Sequence, residues 1–533
     1  VSMRDAMERL VSPFHRIACC LFDLKLAAWM LDPDGGGDDD DFVDHKDDER
    51  TVEGCADPQI KRAALSCLSR LRAGALYRKK LREAGTLSAF EKIEAPHGVL
   101  LDEMRVNGMQ VDLAALARMK TALLGALERL QRDAFRLAGR RFSLSSPYEV
   151  SRILFGELQL RDKAEDDEEE VVRVERKLRK QAKRFRSTSR EVLEALCDQH
   201  PLPRKIIDWR QVHHALYQNL LPLEQHLSGS HLFRARSFHL TCTGRVLMAE
   251  PNVQNLPRAF RTGDGDEFNM REIFVAADDG VLVSADYAQL ELRLMAHFSA
   301  DPALLRIFNE DKDADIFRKL AASLKESDDE GEVSDAERQS AKQMCYGMLY
   351  GMGAAGLARH MSTSRHRAQS FIDAFHRAFP ALRSWLDRTA EACRRAGHVT
   401  TLAGRRRGLP DARSDRASVR AQAERRAVNS TVQGSAADVV KRATLLVRDR
   451  LVAQGYAVTR DDSCGKRCLY VNHMHDELVF ETRRSDLPRV VPLIRSAMQS
   501  AFSHLLRVAL VVKVKSGTSW GSLQPFATSS LPP

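Results

Sequence analysis

An α+β fold is predicted by two periodicities and by the acidic residues that stand where one gives way to the other. Residues 113–137 repeat apolar side chains at intervals of three and four, the spacing of a helix buried along one face. Residues 468–472 and 478–481 are short runs rich in branched and aromatic side chains, and His475-Asp476 between them sits where a hairpin would turn. The apolar run that opens VLVSADYAQLELR, residues 281–293, likewise stops at Asp286, where a strand would give way to a turn or helix.

Two carboxylates about 4 Å apart repel by roughly 4 kcal/mol at an effective dielectric of 20. A fold that brings Asp286 and Asp476 together therefore wants divalent cations between them, the two-metal arrangement of phosphoryl transfer. Read alone, each Asp is more simply a helix cap or turn former. A third segment, DAERQSAKQMCYGMLYG at residues 335–351, reads as a helix, with Arg338, Lys342, Tyr346 and Tyr350 four apart and so in one slowly drifting stripe. Two cations followed by two aromatic rings suit a nucleoside triphosphate, with charge for its phosphates and rings for its base.

These three segments resemble, in family order, motifs A, B and C of the family A DNA polymerases, and the likeness runs from about residue 90 to residue 521. Within the family, QMCYGMLYGMG (343–353), WMLDPD (29–34) and HPLP (200–203) are most similar to the theta-like eukaryotic repair branch, with the nu-like branch second. The resemblance implies a right-hand polymerase fold of palm, fingers and thumb behind a degenerate exonuclease-like N-terminal domain. It implies boundaries at 1–95 (exonuclease remnant), 96–235 (thumb), 236–297 and 417–533 (palm) and 298–416 (fingers). The implied reaction is attack of a primer 3′-hydroxyl on the α-phosphate of a deoxynucleoside triphosphate. Two Mg²⁺ ions, for which Mn²⁺ is a substitute, would be held by Asp286, Asp476 and the main-chain carbonyl of Tyr287. Glu477 is either an accessory to the metals or primer, or an exposed turn carboxylate.

By the same resemblance Arg338 and Lys342 meet the β- and γ-phosphates, Lys342 protonates the pyrophosphate, and Tyr350 and Gln289 also line the nucleotide. Glu291 becomes a steric gate against ribose, and Tyr346 takes the position that senses a missing 3′-hydroxyl. Phe317 is a departure, because bacterial relatives usually carry a phosphate-binding His there. Arg245, Asn252, Gln254 and Asn255 match one minor-groove segment and Arg425, Asn429 and Gln433 another. Donors there test pair geometry without reading sequence, since every Watson–Crick pair offers acceptors on that edge. His475 is placed against DNA, and Arg405 and Arg406 in GRRR, residues 404–407, form a cation cluster suited to phosphates.

Composition is compatible with this reading. A chain of 533 residues with 44% hydrophobic content can hold several subdomains, and a formal charge of +9 suits a polyanion without proving one. No apolar run approaches the ~20 residues of a membrane span, and no signal peptide opens the chain. The ten cysteines form no extracellular framework, so a reducing compartment is expected, and the nucleus follows from the repair branch. Cys464 and Cys468 with His473 and His475 lack the spacing of a standard zinc finger. A chain that opens on Val in mid-domain is expected to be part of a longer protein, and the branch makes a helicase a candidate neighbour.

Two further expectations concern the ends of the argument. A family exonuclease carries a Tyr and an Asp in its last motif, whereas RAALSCLSRLR, residues 62–72, has no acid, so the chain should not proofread. Residues 34–49 and the insertion at 161–190, acidic and then basic, are too polar to pack and read as surface segments. The insertion is either an arm for short or single-stranded DNA ends or an idle linker. The implied role is repair: double-strand break end joining and synthesis past lesions. A replicative or organellar enzyme and a silent DNA-binding scaffold are the alternatives.

Overall fold

The computed structural model describes residues 23–34, 72–161, 186–227, 230–257, 259–310, 315–324, 333–349, 351–361, 363–460 and 465–526. Outside them lie Tyr350, Cys464, nearly all of the exonuclease motif at 62–72, the polar run after Asp34 and the charged core of the insertion.

The centre is an antiparallel sheet of five strands, β1 (Gly280–Tyr287), β2 (Cys468–Met474), β3 (Glu477–Arg483), β4 (Val512–Gly517) and β5 (Gln524–Pro525), in the order β2-β3-β1-β4-β5. All of β1 is buried except Asp286, which explains its unbroken apolar sequence: a central strand covered on both faces need not alternate. β2 and β3 are the expected hairpin, turning at His475-Asp476.

Of the helices, those at 95–107 and 487–500 pack against this sheet. α1 (Leu24–Leu31) is capped by Asp23, whose side chain accepts from the Leu26 amide at 3.0 Å. α2 (Ala95–Asn107) falls inside the expected thumb yet is tied to the sheet side: Asn107 Nδ2 donates to the carbonyls of Val458 and Tyr470 at 2.9 and 3.1 Å. It stops at Gly108, whose φ is +58° and where a Cβ would lie only 2.7 Å from the Phe233 carbonyl oxygen. α3 (Leu113–Ala138) is the helix predicted from periodicity. Asp112 caps it, accepting from Ala114 and Ala115, and its buried stripe includes Leu116, Leu123, Leu127 and Leu130. α4 (Leu202–His214) lies along it, with Lys205 bonded to Asp133 at 3.1 Å.

α5 (Leu290–Ser299) follows directly from β1, and α6 (Ile316–Leu324) and α7 (Asp335–Leu349) form the middle of the chain. α8 (Ala417–Ala453), 37 residues long, buries residues 430–441 on every side. Its hydroxyls make that possible: Ser430, Thr431, Ser435 and Thr444 each donate to the carbonyl four residues back. α9 (Leu487–Ser500) packs beside it.

Candidate active site

The register of the sheet brings the two acidic motifs together. Asp286 lies directly opposite Glu477 across β1 and β3, and opposite Lys513 across β1 and β4. Residues so paired have Cβ atoms about 5 Å apart and share a face. The Tyr287 amide donates to the Asp476 carbonyl at 3.3 Å, so the hairpin tip lies along the end of β1. Asp286 is exposed, while Asp476 and Glu477 are half-buried. Burial pushes the Asp476 carboxyl above its usual value, against the pull of Arg245 and His475. A desolvated carboxyl of this kind gains from a cation.

Neighbours that the sequence did not single out hold this tip. Ser284 Oγ donates to Glu477 Oε1 at 2.5 Å. His473 Nε2 lies 3.1 Å from the His475 carbonyl and so must be the protonated nitrogen, leaving Nδ1 to accept from the Tyr470 hydroxyl at 2.5 Å. His475, at φ +55°, is exposed beside Asp476. Lys513 was missed because a Lys in a strand carries no local signal; only the register makes it a neighbour of Asp286.

Beneath the tip are two neutral histidines. His97 is fully buried, neither ring nitrogen has a hydrogen bond, and its ring lies 6.0 Å from that of His473 and 6.4 Å from that of His239. Burial, then Lys441, His473 and His239, pulls its pKa well below 6.5. Burial above all pulls His473 down to about 3. The unfolded chain takes up these protons near 6.5, and the folded chain only far below it. Their stabilisation is thus complete above pH 6.5 and is lost as pH falls below it, for His473 down to about 3. Urea midpoints should be lower at about pH 5 than at about pH 7.5, and His97→Leu should narrow the gap. Equal midpoints for the parent would contradict this account.

On the nucleotide side, α7 carries Arg338, Lys342 and Tyr346, all half-buried, toward the buried Phe317 of α6. The Arg338 guanidinium and the Lys342 ammonium each lie 5.9 Å from the Phe317 ring centre, and the Tyr346 ring lies 6.3 Å away. Four of the expected nucleotide residues are therefore one cluster. Glu291, on the first turn of α5, is 6% exposed and forms an ion pair with Arg245. Gln289, at φ +48°, is the residue that turns β1 into α5.

Three of the residues expected at DNA are buried within the protein. Gln254 is buried, with its oxygen accepting from the Met248 amide at 3.1 Å and its nitrogen donating to the Val246 and His473 carbonyls at 3.0 Å, so its amide is spent inside the protein. Arg405, 6% exposed, is bonded to Asp438 at 2.6 Å, to Glu94 at 3.1 Å and to the Thr243 and Gly434 carbonyls. Gln433 is buried within α8. The remainder have a freer placement. Arg406, Arg425, Asn252 and Asn255 are exposed, and Arg245 and Asn429 half-buried, the Asn429 side-chain oxygen having no hydrogen-bond partner. Arg425, Arg359 and Arg365 line a cavity of about 450 Å³ with the glycine-rich segment Gly351–Gly356.

An antiparallel sheet with acids at the meeting of two strands, together with a helix whose cations and ring gather on Phe317, supplies the parts of a nucleotidyl-transfer enzyme. The family model for DNA polymerase family A matches residues 113–522, and the chain belongs to that family. Mouse DNA polymerase theta is 31% identical over 521 residues, covering 82% of this chain and 20% of that protein. The thermostable DNA polymerase I of Thermus aquaticus is 35% identical over 462 residues, covering 86% and 51%. The chain thus spans a fifth to about half of these relatives. Among solved structures, the polymerase domain of Pol1 from M. smegmatis, in complex with DNA primer-template and dNTP, superposes with a TM-score of 0.77 at 27% identity, covering 94% of this chain and 82% of that one. That likeness establishes the right-hand polymerase fold.

Proposed function

We propose that this chain is the catalytic region of a template-dependent DNA polymerase that extends a primer 3′ end with deoxynucleoside triphosphates. The observation that carries the reading is the β1–β3 register, which sets Asp286 beside Glu477 with Asp476 at the adjoining hairpin tip. Among the described residues no group of three or more His, Cys, Asp or Glu forms a closed metal cage. Magnesium does not require one, since it binds through one or two carboxylates together with water and substrate phosphate. Asp286, Asp476 and the Tyr287 carbonyl are a hard-oxygen set of that kind. When bound there, two Mg²⁺ ions would acidify the primer hydroxyl and neutralise the triphosphate.

The protein's own groups do the rest. Arg338 and Lys342 bind the phosphates and offset charge on the leaving pyrophosphate, to which Lys342 gives a proton. Glu291 closes the space beneath the sugar, and Arg245 fixes its carboxylate there. Tyr346 stands beside the sugar. Arg245, Arg406, Arg425, Asn252, Asn255, Asn429 and His475 are the expected DNA contacts that are not buried within the protein. Glu291→Ala should admit ribonucleotides about tenfold or more better than the parent, because the gate works by exclusion. Tyr346→Phe should make the enzyme reject dideoxynucleotides. Unchanged selectivity in both would mean that the pocket register is wrong. The defining experiment is primer extension by the purified chain with Mg²⁺.

The theta-like motifs favour a nuclear repair enzyme that joins broken ends and passes lesions, does not proofread, and acts beside an attached helicase. Identity alone does not separate the branches, at 31% to mouse theta and 35% to the Thermus enzyme. No described helix is long and apolar enough to cross a membrane.

A further inference from the structure

Two crossed ion pairs clasp α6 to the start of α7. Arg318 binds Asp335 and donates to the Val333 carbonyl, while Arg338 Nε binds Asp315 Oδ2 at 2.5 Å. The pairs look alike but differ in their surroundings. The Asp335 side chain is 90% exposed and that of Asp315 33%. Asp315 is also anchored at its second oxygen, where Oδ1 accepts from the backbone amides of Phe317 at 3.1 Å and Arg318 at 3.3 Å. Burial raises its carboxyl, but the Arg338 hydrogen bond and those two amides together hold it below the usual carboxylate value. Its grip on Arg338 is through Nε, and among the described residues neither Nη is hydrogen-bonded. Phe317, beneath the Arg338 and Lys342 cations, has no side-chain donor or acceptor with which to orient them.

We propose that Asp315 is a positioning residue for nucleotide binding: locked by the α6 N terminus, its carboxylate holds Arg338 by Nε and leaves both Nη groups to receive the triphosphate. This rests on the reading that Arg338 and Lys342 bind that triphosphate. A guanidinium already fixed at one edge loses less rotamer freedom when its fork closes on phosphate. Part of the binding cost is thus met before the nucleotide arrives.

Steady-state extension by the full chain, with KM for deoxynucleotide separated from kcat, tests the proposal in Asp315→Asn, Arg338→Ala, the double variant and Asp335→Asn. Asn keeps an oxygen for the helix amides while losing the charge toward Arg338. Asp315→Asn should raise KM about fivefold, with kcat within about twofold and an unchanged melting temperature. It should add nothing once Arg338 is Ala, and Asp335→Asn should leave KM alone. A parent-like KM in Asp315→Asn would make Asp315 only a cap, and a lower KM would make it a competitor of phosphate; either overturns the proposal. So would the same increase on the Arg338→Ala background. If Arg338→Ala itself keeps the parent KM, the triphosphate reading fails first, and that failure is distinct from the others.

Discussion

Asp286→Ala and Asp476→Ala should each lower primer extension by about a thousandfold or more while binding to primer-template DNA stays close to that of the parent. The two effects separate because the carboxylates serve the reacting atoms, whereas duplex affinity comes mainly from cations on phosphates. Asp286 is exposed at the end of an otherwise buried strand, so its truncation opens no cavity in the sheet. Asp476 stands at the hairpin tip, and what holds that tip to β1 is its main chain, through the Tyr287 amide. Both variants should therefore fold, and their melting temperatures should say so. Single-nucleotide incorporation in rapid quench is the measurement, with binding followed by fluorescence anisotropy. Residual incorporation within about tenfold of the parent in either folded variant would remove the two-metal assignment, since a lost metal ligand deprives the transition state of far more.

How much of this site was legible in the sequence depended on whether a residue's role is local. Asp286 and Asp476 could be found because an acid at the end of an apolar strand is visible in a short window, and the stripe of Arg338, Lys342 and Tyr346 because helical spacing is local too. The α3 helix was legible for the same reason, with a cap at Asp112 and periodic apolar residues after it. Lys513 and Ser284 were not, because their relation to Asp286 and Glu477 exists only in the register of strands far apart in the chain. Asp315 was invisible for a different reason. An Asp before a helix reads as a cap, which it is, and nothing in the sequence says that its second oxygen meets Arg338. The internal partners of Gln254 and Arg405 were hidden too. A Gln or Arg in a loop looks like a surface donor until packing reveals carbonyls and carboxylates already waiting for it.

Arg405→Ala should cost about 3 kcal/mol of stability, near the lower end of what a broken buried ion pair costs. Its guanidinium sits among Asp438, Glu94 and two carbonyls, with the ring centre of Trp29 of α1 5.8 Å from the guanidinium and 5.7 Å from the Lys441 ammonium. Lys441 would still neutralise Glu94, through bonds of 2.9 and 2.7 Å. The Ala403 amide would still donate to Asp438 at 2.9 Å, and these two remaining partners keep the loss from reaching the top of the range. What remains is a desolvated Asp438 carboxylate without its cation and two carbonyls that have each lost a donor, a penalty that water cannot easily relieve at a site only 6% exposed. The neighbouring Arg406, exposed one residue further along, should behave in the opposite way. Arg406→Ala should leave the denaturant midpoint within about 0.5 kcal/mol of the parent. It should flatten the salt dependence of DNA binding by about one counterion. Paired urea titrations and salt-dependent anisotropy on the two variants decide between the assignments. An Arg405→Ala protein of parental stability that has lost DNA affinity would return that residue to the DNA surface and refute the buried network as its role.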